Sequence, residues 1–162
     1  MKIEIKPIET EKEIKEKAYV YWRCWHNTYK GLVSDEYLNS LNLQKCEERA
    51  FESKDNIIIA KDEDRVVGFA EFGIGKEEGC VYGEILTLYV LPEYCGQGIG
   101  TRLMKSVSEH LSAYPQICLW VLKENKRAIR FYEKFGFYPD GKEKMSTKVG
   151  AEGIRMIKRK KK

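Results

Sequence analysis

The sequence predicts a mixed α/β (α+β) fold in which a mostly antiparallel central sheet is flanked by helices. Three observations carry that reading. Strand-like runs at 56–61, 65–74 and 80–90 follow one another across short turns, the pattern of an antiparallel meander. Before them, Ile14, Ala18, Tyr21, Trp22, Trp25 and Tyr29 recur at helical spacing. After them, a glycine-rich turn, an amphipathic helix and a buried strand follow in the order of a crossover connection.

In chain order, residues 2–6 form an edge strand with Ile3 and Ile5 on one face. Thr10 and Glu13 make a capping-box signature for the first helix, which stops near Gly31. Its aromatic stripe reads as core. Ser34-Asp35-Glu36 caps a short helix carrying Tyr37, Leu38 and Leu41, and a further helix spans about 44–51. Asp62-Glu63-Asp64 turns the first hairpin, and residues 75–79 close the second. The strand at 80–90 ends at Leu91-Pro92, because proline has no ladder donor. A helix over about 98–113 puts Leu103, Met104, Val107 and Leu111 on one face, and 116–122 is a buried strand. Asn125 caps a helix running through Lys134, with Gly136 as its C′ residue. Strands at 137–144 and 153–158 complete the sheet.

The 162 residues make a single domain, 1–162, with no repeat or linker. A chain of this size buries roughly 70% of its unfolded surface and needs no covalent staple. No apolar run approaches the roughly 20 residues of a membrane span. Residues 1–6 alternate charged and apolar side chains, unlike a signal peptide. The five cysteines, Cys24, Cys46, Cys80, Cys95 and Cys118, are scattered and lack a Cys-x-x-Cys pair, which favours a reduced, cytoplasmic chain over a disulfide framework or zinc site. No metal is expected. Twenty-nine basic residues against 25 acidic ones do not specify a nucleic-acid binder, but a net +4 favours an anionic small ligand. The basic run at 158–162 reads as a solvated tail.

Cys95-Gly96-Gln97-Gly98-Ile99-Gly100-Thr101 joins a strand to a helix. Its glycines let backbone N–H groups converge above the positive end of that helix, a cradle for phosphate or pyrophosphate. A P-loop would need lysine, whereas Gly100 runs directly into Thr101. A dinucleotide fingerprint would want glycine at Thr101; Glu124 stands at a workable distance for its ribose acid, but the preceding antiparallel hairpins fit that fold poorly. Coenzyme A is the third candidate.

The segment from Tyr82 to Phe137 resembles the GCN5-related N-acetyltransferase (GNAT) family, in its small bacterial-type form. Ile85-Leu86-Thr87-Leu88-Tyr89-Val90-Leu91-Pro92-Glu93-Tyr94 looks like that family's fourth strand, and Gly96-Gln97-Gly98-Ile99-Gly100-Thr101-Arg102-Leu103-Met104 like its pyrophosphate loop and following helix. Leu119-Trp120-Val121-Leu122-Lys123-Glu124-Asn125, continuing through Phe131-Tyr132-Glu133-Lys134-Phe135-Gly136-Phe137, is similar to its second signature block. One departure stands out: Cys95 occupies a place where the family usually has Arg or Gln, which removes a polar anchor.

The resemblance implies a splayed strand pair at the coenzyme site and acetyl-CoA as co-substrate. It implies direct transfer, in a ternary complex, to a primary amine: a small molecule, an amino acid or a peptide N-terminus. It sets Leu88, Tyr89 and Val90 beside the acetyl-pantetheine arm, with the Val90 N–H as oxyanion donor, and residues Cys95, Gly96, Gln97, Gly98, Ile99, Gly100 and Thr101 around the pyrophosphate. Asn125 holds the pantetheine arm while capping its helix. Tyr132 protonates the departing thiolate, with a packing tyrosine as the plainer alternative. Glu84 matches a general base acting through water, and the alternatives are an orienting residue or a solvated strand carboxylate. His26 reads as a packing or surface histidine, with the acceptor pocket as its alternative place. A monomer or homodimer is expected. A coenzyme-A-binding module without catalysis, built on the same fold, is the competing function.

Overall fold

Seven strands, β1 (Ile3–Pro7), β2 (Ile57–Asp62), β3 (Arg65–Glu77), β4 (Cys80–Val90), β5 (Gln116–Leu122), β6 (Tyr138–Ser146) and β7 (Ala151–Arg159), form one sheet in a computed structural model that describes residues 2–160. Their order is β1-β2-β3-β4-β5-β7-β6. Every neighbouring pair is antiparallel except β4 and β5. Five helices flank the sheet: α1 (Glu11–Thr28), α2 (Asp35–Ser40), α3 (Leu43–Glu52), α4 (Ile99–His110) and α5 (Lys126–Glu133).

Both faces of the sheet's centre are covered. Ile57 to Ala60 and Val66 to Ala70 are buried without alternation, as strands sandwiched between helices require. Neighbouring β3 residues meet opposite layers: Phe69 lies under Lys17 of α1, while Gly68 faces Leu103 of α4. Leu103, Met104 and Val107 of α4 are fully buried, and each contributes roughly 1.5–3 kcal/mol. That packing fixes the N-terminus of α4 against the sheet.

The entry of α1 is set by the predicted capping box. Thr10 accepts from the Glu13 N–H at 3.1 Å, and the Glu13 carboxylate accepts from the Thr10 and Glu9 N–H groups at 3.1 and 2.8 Å. The same carboxylate, only 3% exposed, also meets Lys6 of β1 at 3.1 Å and Lys61 of β2 at 3.0 Å.

Two expectations are corrected. The hairpin between β3 and β4 turns at Glu78-Gly79 alone, both at positive φ, so the strands continue to the Glu77–Cys80 pair instead of opening at Gly75. The basic run is not simply a tail: Lys158 and Arg159 end β7, and the Lys160 N–H bonds the Pro115 carbonyl at 2.8 Å, because the pairing with β5 carries on to Gln116. Lys161 and Lys162 lie outside the described residues.

Candidate active site

The two parallel strands part just where a cavity opens. The β4–β5 ladder holds only three pairs, Gly83–Ile117, Glu84–Cys118 and Ile85–Leu119. Next in β4 comes Leu86, which is skipped in the register with β3: Ile85 faces Phe72 and Thr87 faces Glu71. This bulge bends β4 away from β5. Beyond it lies a cavity of about 790 Å³, walled by Leu88, Tyr89 and Val90 on one side and Val121 and Leu122 on the other.

Backbone alternation aims Val90 into the gap. Leu91 donates its N–H to Val67 of β3 at 2.8 Å, so in an antiparallel ladder the N–H and C=O of Val90 point the other way, toward the missing partner. Its carbonyl accepts from two thiols, Cys24 at 3.3 Å and Cys95 at 3.7 Å. Its N–H points the same way, toward the cavity.

Cys95, Gly96, Gly98, Gly100 and Thr101 line the same cavity. Gly98 is the N-cap of α4 at φ 82, in the left-handed region, and a Cβ there would have no neighbour within 4 Å. Open space over the positive end of a twelve-residue helix fits a pyrophosphate. Two expected members fall outside the lining. The Gln97 side chain donates to the Glu93 carbonyl at 3.4 Å, and Ile99 is 2% exposed in the core.

Across the glycine turn stands α5, whose Phe131 lies 3.4 Å from where a Gly100 Cβ would be. Asn125 lines the cavity while its side chain caps α5 by accepting the Ala128 N–H at 3.3 Å. Tyr132 also lines the cavity. Burial drives its phenol well above the ordinary tyrosine range, which keeps the proton on the oxygen. Arg127, Arg130 and Lys134, at three- and four-residue spacing, put cations along the same wall.

Glu84 is not brought to the cavity. It is half-buried in the middle pair of the β4–β5 ladder, below the point where the strands separate. His26 is likewise outside: its Nε2 lies 2.9 Å from the Leu41 carbonyl and its ring 5.4 Å from Trp22, a packing histidine.

The aromatic stripe of α1 is divided. Tyr21 packs against the core, whereas Trp25 and Tyr29 reach the cavity, where the Tyr29 and Tyr89 hydroxyls lie 3.3 Å apart. Trp120, Lys144 and Ser146 line the cavity's other side. There the β6–β7 turn docks onto the α1–α2 connection, the Ser34 N–H bonding the Val149 carbonyl at 2.8 Å. The cations of α5 could have been found from their helical spacing. For Lys144 and Trp120 no local signal exists, since the sheet alone brings them together.

Fold and cavity together define an acyltransferase of the coenzyme-A type, and the comparisons agree. The acetyltransferase (GNAT) domain family matches residues 53–139, and the chain belongs to that family. It is an N-acetyltransferase whose acetyl donor is acetyl-CoA. An uncharacterized N-acetyltransferase of Bacillus subtilis, YuaI, is 34% identical over 128 residues, covering 76% of this chain and 73% of its own. The spermidine N(1)-acetyltransferase of Thermoplasma acidophilum is 28% identical over 148 residues, 85% of this chain and 89% of its own. The crystal structure of the PaiA N-acetyltransferase from Thermoplasma acidophilum in complex with coenzyme A shares the fold, with TM-score 0.78 at 24% identity over 99% of this chain and all of that one. No helix among the described residues is long and apolar enough to cross a membrane. Among the same residues, no three or more His, Cys, Asp or Glu side chains gather as a metal site.

Proposed function

We propose that the chain transfers acetyl directly to a primary amine within a ternary complex, using Val90, Asn125, Tyr132 and the glycine turn. The observation that carries this is their convergence: parted strands, an unpartnered Val90 N–H, an open glycine turn and a protonated phenol share one cavity. Acetyl-CoA supplies the activated thioester. Residues Cys95 to Thr101 hold the pyrophosphate through backbone N–H groups, and Arg127, Arg130 and Lys134 add positive charge beside them. Asn125 holds the pantetheine arm. The Val90 N–H donates to the acetyl oxygen as negative charge builds there. As the nitrogen–carbon bond forms and the carbon–sulfur bond breaks, Tyr132 gives its proton to the leaving sulfur. The amine loses its own proton to water in the open mouth; Glu84, held in the ladder, is not assigned direct abstraction.

The single-domain reading is supported by one sheet that draws strands from Ile3 to Arg159. Five free cysteines suit a reducing cytoplasm. The deciding experiment follows free coenzyme thiol during incubation with a panel of polyamines, amino acids and peptide N-termini. Amine-dependent thiol release with a mass-verified acetyl product is expected. Stoichiometric acetyl-CoA binding without turnover would instead mark a binding module.

A further inference from the structure

We infer that the acceptor is a primary amine that also carries a carboxylate, and that Lys144 binds that carboxylate; this rests on the transfer reading above. The charged side chains of the cavity are all cations. Arg127, Arg130, Lys134 and Lys144 line it, and no Asp or Glu does among the described residues. The three α5 cations share a helix with Phe131, which meets the glycine turn at Gly100, so the phosphates proposed there would be their counter-charge. Lys144 stands apart on β6, its ammonium 4.2 Å above the Trp120 ring, with no ion-pair partner among the described residues. Lys144 pairs with Gly153 across the β6–β7 ladder, and Gly153 lies beside Trp120, so the sheet itself holds the ammonium and the indole on one wall.

One further group points the same way. Trp25 lines the cavity, and its indole N–H is buried without a partner. An indole nitrogen donates only, so it is satisfied by a ligand that accepts. A polyamine fits these surroundings badly. Its ammonium groups donate and cannot accept, Lys144 repels them, and the Trp120 face that would attract a ligand cation is already taken by Lys144. A carboxylate accepts from the Lys144 ammonium and a nearby N–H, while the acceptor amine is left free to reach the thioester.

The test compares matched acceptors. Initial rates are measured for α- and ω-amino acids, for the carboxamide of each, and for spermidine, with the wild type and with Lys144→Gln and Lys144→Glu. Lys144 is exposed, so these variants fold. The carboxylates should exceed their carboxamides in kcat/KM by about tenfold or more, the worth of one charge-assisted bond. Lys144→Gln should erase that ratio by raising acceptor KM while KM for acetyl-CoA holds. Lys144→Glu should turn the preference toward spermidine. Carboxamides or spermidine used as well as the carboxylates by the wild type, or a ratio unmoved by Lys144→Gln, would overturn the inference. Thiol release with no amine at all would instead overturn the transfer reading on which it rests.

Discussion

The carbonyl of Tyr132 accepts the Phe137 N–H at 3.3 Å, and the two rings meet edge-on with centroids 6.1 Å apart. With the Gly136 N–H on the Glu133 carbonyl at 3.0 Å and Gly136 at φ 93, this is a Schellman motif, and its apolar contact is the tyrosine itself. The helix stop therefore also aims the phenol. Tyr132→Phe keeps the ring and the motif and removes only the acid, so kcat should fall by about 10²-fold or more with coenzyme affinity little changed. Rapid-quench measurement of the chemical step checks this. A wild-type rate would reduce Tyr132 to a packing residue.

Gly98→Val combines two penalties at one position. A β-branched residue is strained at φ 82 by about 1–2 kcal/mol, and its side chain fills the open space proposed for the pyrophosphate. Calorimetry should show acetyl-CoA affinity lost, while circular dichroism shows the sheet retained, because nothing packs against that space. Unchanged affinity would remove the glycine turn from the coenzyme site.

Most of the fold was legible because its signals are local. Thr10 with Glu13, Asn125 and Gly136 each mark a helix end by chemistry within a few residues, and β4 and β5 fall where their apolar runs do. The glycine-turn wall of the cavity was legible for the same reason: the turn from Cys95 to Thr101 and the cap of α5 are contiguous stretches. The opposite wall was not. Trp25, Trp120 and Lys144 belong to three distant elements, and only the parting of β4 from β5 and the docking of Val149 on Ser34 give them one cavity. Glu84 shows the limit of spacing: position along β4 set it near the site, while the ladder pair with Cys118 holds its backbone before the strands part.

The pH dependence of catalysis should accordingly belong to the acceptor. No carboxylate lines the cavity among the described residues, so the step that rises with pH is loss of the amine's own proton. In kcat/KM profiles, activity should climb to a plateau whose midpoint follows the amine pKa from one acceptor to another. Losing a true general base costs about 10²–10⁴-fold, and Glu84→Gln should fall well short of that at every pH. A large loss at neutral pH, recovered at alkaline pH, would restore Glu84 as the base.

Stability should carry a distinct acid signature from Glu13. Burial alone would raise its pKa, but the Glu9 and Thr10 N–H groups and the Lys61 and Lys6 ammonium groups outweigh burial and hold it at about 2, below its usual 4.5. A folded-state pKa depressed in this way means that the ionised carboxylate stabilises the fold above pH 4.5. That stabilisation is lost as pH falls from 4.5 toward 2. By linkage it is on the order of 3 kcal/mol. Glu13→Gln keeps a side-chain oxygen for the cap but turns an amide toward two ammonium groups. Urea unfolding at pH 7 should show it clearly less stable than wild type, and the difference should shrink steadily through the acid window as the wild-type carboxylate takes up its proton. A difference that stays constant down to pH 2 would mean that the Glu13 charge contributes nothing beyond the shape of the cap.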